Sequence, residues 1–148
     1  MSMPPAEEGT HTCPDGTALY TKTWKPAFSA LAKIVFVHGF SDHCNAYQDL
    51  FLSLALSRIE VHAFDQRGWG RSVKTVSERG LTGPTSQVLD DITSILKSQL
   101  PTSIPLFLMG HSMGGAEVLV SSFTRRSRYP PAFVMFWMHF MIVSKVSR

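Results

Sequence analysis

Cysteine is scarce in this sequence, and its scarcity excludes several kinds of protein. Among 148 residues there are two cysteines, Cys13 and Cys44, with no Cys-x-x-Cys or Cys/His spacing between them. Neither a zinc site nor a disulfide framework is therefore indicated. We expect two idle thiols in a reducing compartment.

Acidic residues are missing from the last part of the chain. The net charge of +3 is mild and predicts no nucleic-acid partner, but no acid follows Glu117. The basic end is typical of a solvated tail, with contact to an anionic surface as the alternative. Five basic residues lie there, at Arg125, Arg126, Arg128, Lys145 and Arg148.

Long hydrophobic runs are absent too. The longest, residues 132–143, is shorter than the ~20 apolar residues of a membrane-spanning helix. The amino terminus "MSMPPAEEGT" has neither the basic start nor the apolar centre of a secretory signal. We therefore expect a cytoplasmic protein, with any contact to membranes or lipid droplets at their surface.

What the chain does contain is an alternation of strand-like and helix-like segments. The run "KIVFVHGF" is apolar at successive positions, which is typical of a strand buried on both faces of a parallel sheet. "IEVHAFD" and "PLFLMG" are further strand candidates, and stripes at helical spacing lie between them. The pattern predicts an α/β fold with a mostly parallel sheet and flanking helices, preceded by an antiparallel strand or hairpin in "DGTALYTKTWKP".

The stretch "PLFLMGHSMGGAEVL" places Ser112 where a strand ends and a helix begins. Glycines two residues before and after it, Gly110 and Gly114, permit a sharp turn that exposes the serine hydroxyl as a nucleophile. The backbone N–H of Met113 then lies at a helix N-terminus, where negative charge is stabilised. The alternative is a serine that merely caps the helix.

A second donor for an oxyanion is expected from the loop that follows an earlier strand. His38 and Gly39 end the strand in "VFVHGFSDH", and the backbone N–H of Phe40 is in the right place to donate. His38 and Gly39, like Gly110 and Gly114, are predicted to support this arrangement rather than to react.

With these motifs assembled, the chain resembles the α/β-hydrolases, and more narrowly the monoacylglycerol lipase and lysophospholipase-like serine hydrolases. The likeness rests on "HGFSDHCNAY", "FDQRGWGRS" and "GHSMGG", in that order. It implies that Ser112 attacks a fatty-acyl ester, that Phe40 and Met113 form the oxyanion hole, and that a lipid ester is the substrate. It implies no metal and no cofactor, and the oligomeric state stays open.

The acid and the histidine of the serine triad are missing. In this fold they follow the nucleophile in that order, yet no aspartate follows Ser112, and the only later acid and histidine are Glu117 and His139. Glu117 is too close in sequence to orient a histidine across the site, and His139 lies in the apolar tail. We expect impaired catalysis, or a catalytically inert module that binds lipid or a protein partner.

The chain accordingly divides into three parts. Residues 1–14 are an amino-terminal segment, 15–124 a partial α/β-hydrolase domain without the carboxy-terminal strands and lid, and 125–148 a basic, apolar tail unlike the family. The simplest interpretation is a shortened form, or an imperfect gene model, of a longer hydrolase. A short membrane-anchored protein is the remaining alternative.

Overall fold

Seven strands and three α-helices make up the part of the chain that the computed structural model describes, residues 5–124, 132–136 and 141–146. Short 3-10 turns at Cys44–Tyr47, Gly70–Ser72 and Val76–Glu78 join some of them. The strands are β1 (Ala6–Thr12), β2 (Ala18–Trp24), β3 (Ala32–Val37), β4 (Ile59–Phe64), β5 (Leu106–His111), β6 (Ala132–Phe136) and β7 (Met141–Val146). The helices are α1 (Gln48–Leu56), α2 (Thr85–Ser98) and α3 (Met113–Thr124).

The described strands form one mixed sheet in the order β1-β2-β4-β3-β5-β7-β6. Its centre is parallel, since β3 lies between β4 and β5 and pairs in parallel with both. The predicted α/β fold is confirmed, whereas the prediction of a mostly parallel sheet is right for the centre only. Parallel neighbours need long crossover connections, and these contain α1 and α2. The connections from β1 to β2 and from β6 to β7 are too short for a crossover, and these strands pair antiparallel.

Two hydrophobic cores lie on opposite faces of the sheet. Alternate residues of β3 serve each: Val35 and Val37 pack on the face covered by α2 and α3, and Ile34 and Phe36 on the face covered by α1. All four side chains are buried. The unbroken apolar run in the sequence is thus explained by a strand with two buried faces.

The start of α1 does not follow the local capping pattern of the sequence. Asn45 followed by Gln48 is typical of a helix cap, yet α1 begins only at Gln48 and has no side-chain cap. The side-chain oxygen of Asn45 instead accepts a hydrogen bond from Lys22 Nζ at 2.9 Å. A contact with β2, distant in sequence, has overridden the local signal.

Two further expectations can be placed on this fold. Cys13 and Cys44 are both free and buried. No helix in the described ranges is long and apolar enough to span a bilayer. The division of the chain at residues 14 and 124 stays a prediction.

Replacement of Trp24 by alanine should destabilise the fold strongly. The indole is 1% exposed and meets Phe51 edge-on, with ring centroids 4.7 Å apart. Loss of such a side chain leaves a cavity and costs about 3 to 5 kcal/mol in the free energy of unfolding. Phe28, which is 77% exposed, is the matched control, and Phe28→Ala should change stability by less than about 0.5 kcal/mol in the same urea titration. Equal effects of the two variants contradict the assigned core.

Candidate active site

Ser112 lies on a sharp turn between β5 and α3. Its φ of 54° is in the left-handed region, which an L-residue other than glycine occupies at a cost of about 1 to 2 kcal/mol. Its carbonyl oxygen accepts the first hydrogen bonds of the helix, from the N–H groups of Gly115 at 3.0 Å and Ala116 at 3.3 Å. The side chain is exposed, and no described residue hydrogen-bonds to its hydroxyl. The hydroxyl is therefore presented to solvent instead of capping the helix.

Two glycines make this turn possible because they let neighbouring backbone segments pack in direct contact. A Cβ on Gly110 would overlap the carbonyl group of Gly114, and a Cβ on Gly114 would overlap the carbonyl oxygen of Val37 and come within 2.5 Å of that of His38. Real Cβ atoms do not approach so closely. The amino end of α3 thus lies directly against the carboxyl end of β3.

The same contact brings the loop after β3 to the serine. A Cβ built on Gly39 would lie 3.2 Å from Ser112 Cβ. Phe40 follows it with its ring 69% exposed. Within the described part of the chain, the backbone N–H groups of Phe40 and Met113 have no hydrogen-bond acceptor. The two predicted oxyanion donors therefore lie on the two segments that meet at Ser112, and neither is occupied.

His38 is buried behind this loop and both of its ring nitrogens are engaged. Nε2 accepts a hydrogen bond from the backbone N–H of Gln66 at 2.8 Å, so Nδ1 carries the proton and donates to the carbonyl oxygen of Gly39, also at 2.8 Å. Burial lowers the pKa of His38, although the bond to Gly39 acts in the opposite direction. A neutral imidazole with no free nitrogen fixes the loop and cannot remove a proton from the serine.

No described histidine hydrogen-bonds to Ser112. Each one with an identified partner is held elsewhere: His11 by Ser94 at 2.7 Å, His62 by Thr23 at 2.8 Å, and His111 by Tyr47 at 2.7 Å. His43 is exposed. The remaining candidate, His139, lies outside the described residues. The absent base inferred from the sequence thus has no substitute among them.

A polar chain beside the serine was missed by sequence reasoning. The hydroxyl of Tyr47 donates to Asp42 Oδ2 at 2.6 Å and accepts from His111 Nδ1 at 2.7 Å. Burial, followed by the neighbouring Asp42 carboxylate, raises the pKa of Tyr47, so the hydroxyl keeps its proton. Tyr47 ends the 3-10 turn directly before α1, and its ring packs on Phe36. The available signal was its place four residues after His43 in the motif of the resembling family.

Glu117 lies on α3 and is half-buried. Its Oε2 is buried, with no hydrogen-bond partner among the described residues. Burial raises the pKa of Glu117 to about 7, opposed by a hydrogen bond with the Gln66 side chain. The same Gln66 amide donates to the carbonyl oxygen of His38 at 2.8 Å. Glu117 thus contacts the support of the oxyanion loop and does not orient a histidine.

Asp65 and Arg67 hold loops together. The buried Asp65 carboxylate accepts the backbone N–H groups of Cys44 at 2.8 Å and Arg71 at 2.7 Å. Arg67 makes two hydrogen bonds of 2.9 Å to Asp91 on α2. Both side chains are thus engaged in holding separate segments together. Within the described ranges, no three His, Cys, Asp or Glu side chains are grouped as a metal site.

Comparison with known proteins points to one family. The family model described as "Serine aminopeptidase, S33" matches residues 29–136. A "Putative monoglyceride lipase" of Schizosaccharomyces pombe is 45% identical over 103 residues, which cover 68% of this chain and 27% of that protein. The "Monoglyceride lipase" of Homo sapiens is 31% identical over 119 residues, covering 78% of this chain and 38% of that one.

A solved structure is similar to this chain as well. A soluble variant of monoglyceride lipase from Saccharomyces cerevisiae, in complex with a substrate analog, superposes with a TM-score of 0.66 at 27% identity, over 78% of this chain and 37% of that one. The chain therefore spans well under half the length of the relatives it matches.

Replacing Ser112 by glycine should stabilise the protein relative to replacing it by alanine. Glycine relieves the left-handed strain that alanine retains, so Ser112→Gly should exceed Ser112→Ala by about 0.5 to 1 kcal/mol in free energy of unfolding. Ser53, exposed within α1, is the control, because glycine in a helix interior is less stable than alanine by about 1 kcal/mol. Urea denaturation measures both pairs of variants. If the glycine variant is less stable than the alanine variant at both positions, the strained turn is ruled out.

Glu117→Gln should change how stability depends on pH. The pKa of this carboxyl rises from an ordinary 4.5 to about 7 on folding, so the folded state binds the extra proton. That stability is present below pH 4.5 and is lost as pH rises through about 7. With a discount for the solvent that reaches a half-buried group, the glutamine variant should be about 1 to 2 kcal/mol more stable than the parent at pH 8 and similar at pH 4.5.

Urea titrations at the two pH values measure this difference. Glu78→Gln is the control, since a backbone N–H of Lys74 lowers the pKa of Glu78, and its contribution is lost as pH falls. If the difference in free energy of unfolding between Glu117→Gln and the parent is the same at both pH values, the assigned burial of an ionisable carboxyl is contradicted.

Proposed function

The chain belongs to the serine aminopeptidase S33 family, and from that membership we propose that it acts as a monoglyceride lipase-like hydrolase that attacks fatty-acyl esters with Ser112. One observation supports the role of Ser112 above all others. A non-glycine residue with a φ of 54° and an exposed hydroxyl lies between β5 and α3. Strain of this kind persists only where the surrounding packing imposes it, and it is concentrated at functional sites.

The chemistry follows the usual course of acyl transfer. Ser112 Oγ attacks the ester carbonyl carbon and loses its proton, and the carbonyl oxygen becomes an oxyanion that the N–H groups of Phe40 and Met113 stabilise. Collapse of this intermediate breaks the bond to the alcohol, which leaves with a proton, and the acyl group stays on Ser112. Water then attacks the acyl-enzyme and releases the fatty acid.

Proton transfer is the weak step in this chain. No described histidine reaches Ser112, and those nearest in sequence to the site, His38 and His111, are already hydrogen-bonded. A serine hydrolase that lacks one member of its triad keeps only about 10³ to 10⁴-fold acceleration, from the oxyanion hole and binding. Acylation by a reactive ester is therefore expected, with slow turnover.

The substrate proposed is a lipid ester, an acylglycerol or a lysophospholipid. Its support is the activity for which the relatives are named, the "Putative monoglyceride lipase" of Schizosaccharomyces pombe and the "Monoglyceride lipase" of Homo sapiens. A cytoplasmic protein that meets its substrate at the surface of a membrane or lipid droplet fits this substrate class. No cofactor enters the reaction.

A second function rests on the same missing base. If Ser112 is presented but never deprotonated, the chain is an inert hydrolase module that binds lipid or a protein partner. The observation in its favour is that His111 Nδ1 is hydrogen-bonded to Tyr47, and no described histidine is hydrogen-bonded to Ser112. The two functions differ in whether the hydroxyl reacts.

Labelling with a fluorophosphonate probe separates them. Purified chain should be labelled over hours, and Ser112→Ala should abolish the signal. Ser41→Ala is a matched control, because Ser41 is also exposed and has a φ of 53°, so it should leave labelling intact. Heat-denatured protein should not react. Absence of labelling in the folded parent, or a signal that survives in Ser112→Ala, rules out a reactive Ser112, and the first outcome favours the inert module.

A further inference from the structure

The direction of the Phe40 N–H is set by the peptide unit to which it belongs. The carbonyl group of Gly39 and the N–H of Phe40 are the two ends of one planar trans peptide, so they point in opposite directions. The carbonyl oxygen of Gly39 accepts a hydrogen bond from His38 Nδ1 at 2.8 Å. The position of the His38 ring therefore determines where the N–H of Phe40 points.

Gln66 holds His38 at two places. Its backbone N–H donates to Nε2 of the ring at 2.8 Å, and its side-chain amide donates to the His38 carbonyl oxygen, also at 2.8 Å. Both residues are buried. The first bond belongs to the backbone, whereas the second requires that the amide nitrogen of Gln66 faces His38. The orientation of this amide is therefore the adjustable contact behind the loop.

A carboxyl group on α3 contacts the same amide. Burial raises the pKa of Glu117 to about 7, and a hydrogen bond with the Gln66 side chain acts in the opposite direction. A bond that lowers a carboxyl pKa favours the charged form, so the amide nitrogen is its donor. This nitrogen carries two hydrogens, one for the His38 carbonyl and one for Glu117. The ionised carboxylate thus holds the amide in the orientation that His38 needs.

Protonation of Glu117 weakens this arrangement. A neutral acceptor forms a hydrogen bond of roughly half the strength of a charged one. The carboxylic acid also becomes a donor, and its proton favours the side-chain oxygen of Gln66, which requires the amide to turn away from His38. Glu117 Oε2 is buried without a hydrogen-bond partner among the described residues. Within that part of the chain, Gln66 is accordingly the group that responds to the charge of Glu117.

The helix that carries Glu117 packs on β3, β5, β7 and α2. The titratable or charged residues on these elements are Lys33, Asp90, Asp91, Lys97, His111 and Lys145. Of these, Lys33, Asp91 and His111 are bonded to other side chains. His38 stays neutral because burial lowers its pKa. Burial rather than a neighbouring charge is therefore what raises the pKa of Glu117.

We propose that Glu117 is a positioning residue for the oxyanion hole: when ionised, it holds Gln66, and Gln66 holds the segment that points the Phe40 N–H at the oxyanion. The proposal rests on the proposed function, because it concerns regulation of the same Ser112 site. Glu117 touches neither the ester nor the serine in this role. Its ionised fraction increases as pH rises through about 7, so the loop is held more firmly above that pH.

The amide resonance of Phe40 in heteronuclear NMR tests the proposal without catalysis. In the parent, we expect the resonance to shift with a midpoint near pH 7, and Glu117→Gln should remove this step, because glutamine does not titrate. Glu78→Gln is the matched control and should keep the step, since the Glu78 carboxylate accepts the N–H of Lys74. Gln66→Met should remove the step, because it keeps the backbone bond to His38 and deletes the amide.

Fluorophosphonate labelling measures the consequence at Ser112. The labelling rate of the parent divided by that of Glu117→Gln should rise about threefold between about pH 6 and about pH 8.5, as expected for one hydrogen bond. The ratio cancels the effects of hydroxide and of the histidines, which both proteins share. A merely structural role gives no such rise, because Glu117→Gln is expected to be the more stable protein at high pH. In the Gln66→Met background, the ratio should stay constant.

Each result decides the proposal. A Phe40 titration that is identical in the parent and in Glu117→Gln overturns it, and so does a labelling ratio that does not change with pH. A step that persists in Gln66→Met assigns the effect to another contact and overturns it as well. If the parent is not labelled at all, the proposed function fails, while the Phe40 resonance still decides whether Glu117 positions the loop. Circular dichroism verifies folding, and Gln66→Ala replaces Gln66→Met if the methionine variant is unfolded.

Discussion

The structure around Ser112 depends on one close approach between backbones. The amino end of α3 rests on the carbonyl groups that end β3, with Gly114 at the contact and Gly110, in β5, against the carbonyl group of Gly114. Any side chain larger than hydrogen at these positions separates the helix from the sheet. This contact sets where α3 starts, and therefore where Ser112 and the N–H of Met113 lie. It also brings Gly39 against the serine, so two separate loops share one geometric origin.

Polar contacts then fix the loop that the glycines have brought close. Gln66 satisfies His38 twice, once through its backbone N–H and once through its side chain. On the other side, His111 and Tyr47 connect the end of β5 to Asp42 in the same loop. A polar group that is buried without a hydrogen-bond partner raises the free energy of the folded state. These bonds therefore leave the loop few alternative conformations. The result is a fixed loop beside Ser112, which is what the proposed oxyanion hole requires.

Much of this could be predicted from the sequence, because its causes are local. An apolar run on both faces of β3 identifies a central strand, and the spacing of Gly110, Ser112 and Gly114 identifies the turn. The features that were missed depend on residues far apart in the chain. Asn45 is drawn from its capping position by Lys22, and the hydroxyl of Tyr47 finds His111, 64 residues away. Single-sequence patterns carry no information about such partners.

The order of strands shows the same limit. Alternation of strands and helices predicts parallel pairing, and the prediction is right where a helix connects successive strands. β7 nevertheless pairs with β5 in antiparallel register, with Gly110 opposite Ile142. β6 lies too close to β7 in sequence for a crossover helix to fit between the two strands.

Presentation of the nucleophile and removal of its proton are separable in this chain. The first needs only β3, β5, α3 and the loop after β3, all within residues 32–124. The second needs an imidazole that is hydrogen-bonded to Ser112, and no described histidine makes this bond: both ring nitrogens of His38 and Nδ1 of His111 are bonded to other groups. Strain at a φ of 54° is thus maintained by packing, with no base hydrogen-bonded to Ser112 among the described residues. Under the proposed function, such a turn alone gives slow acylation, whereas rapid turnover requires a histidine that the described residues do not provide.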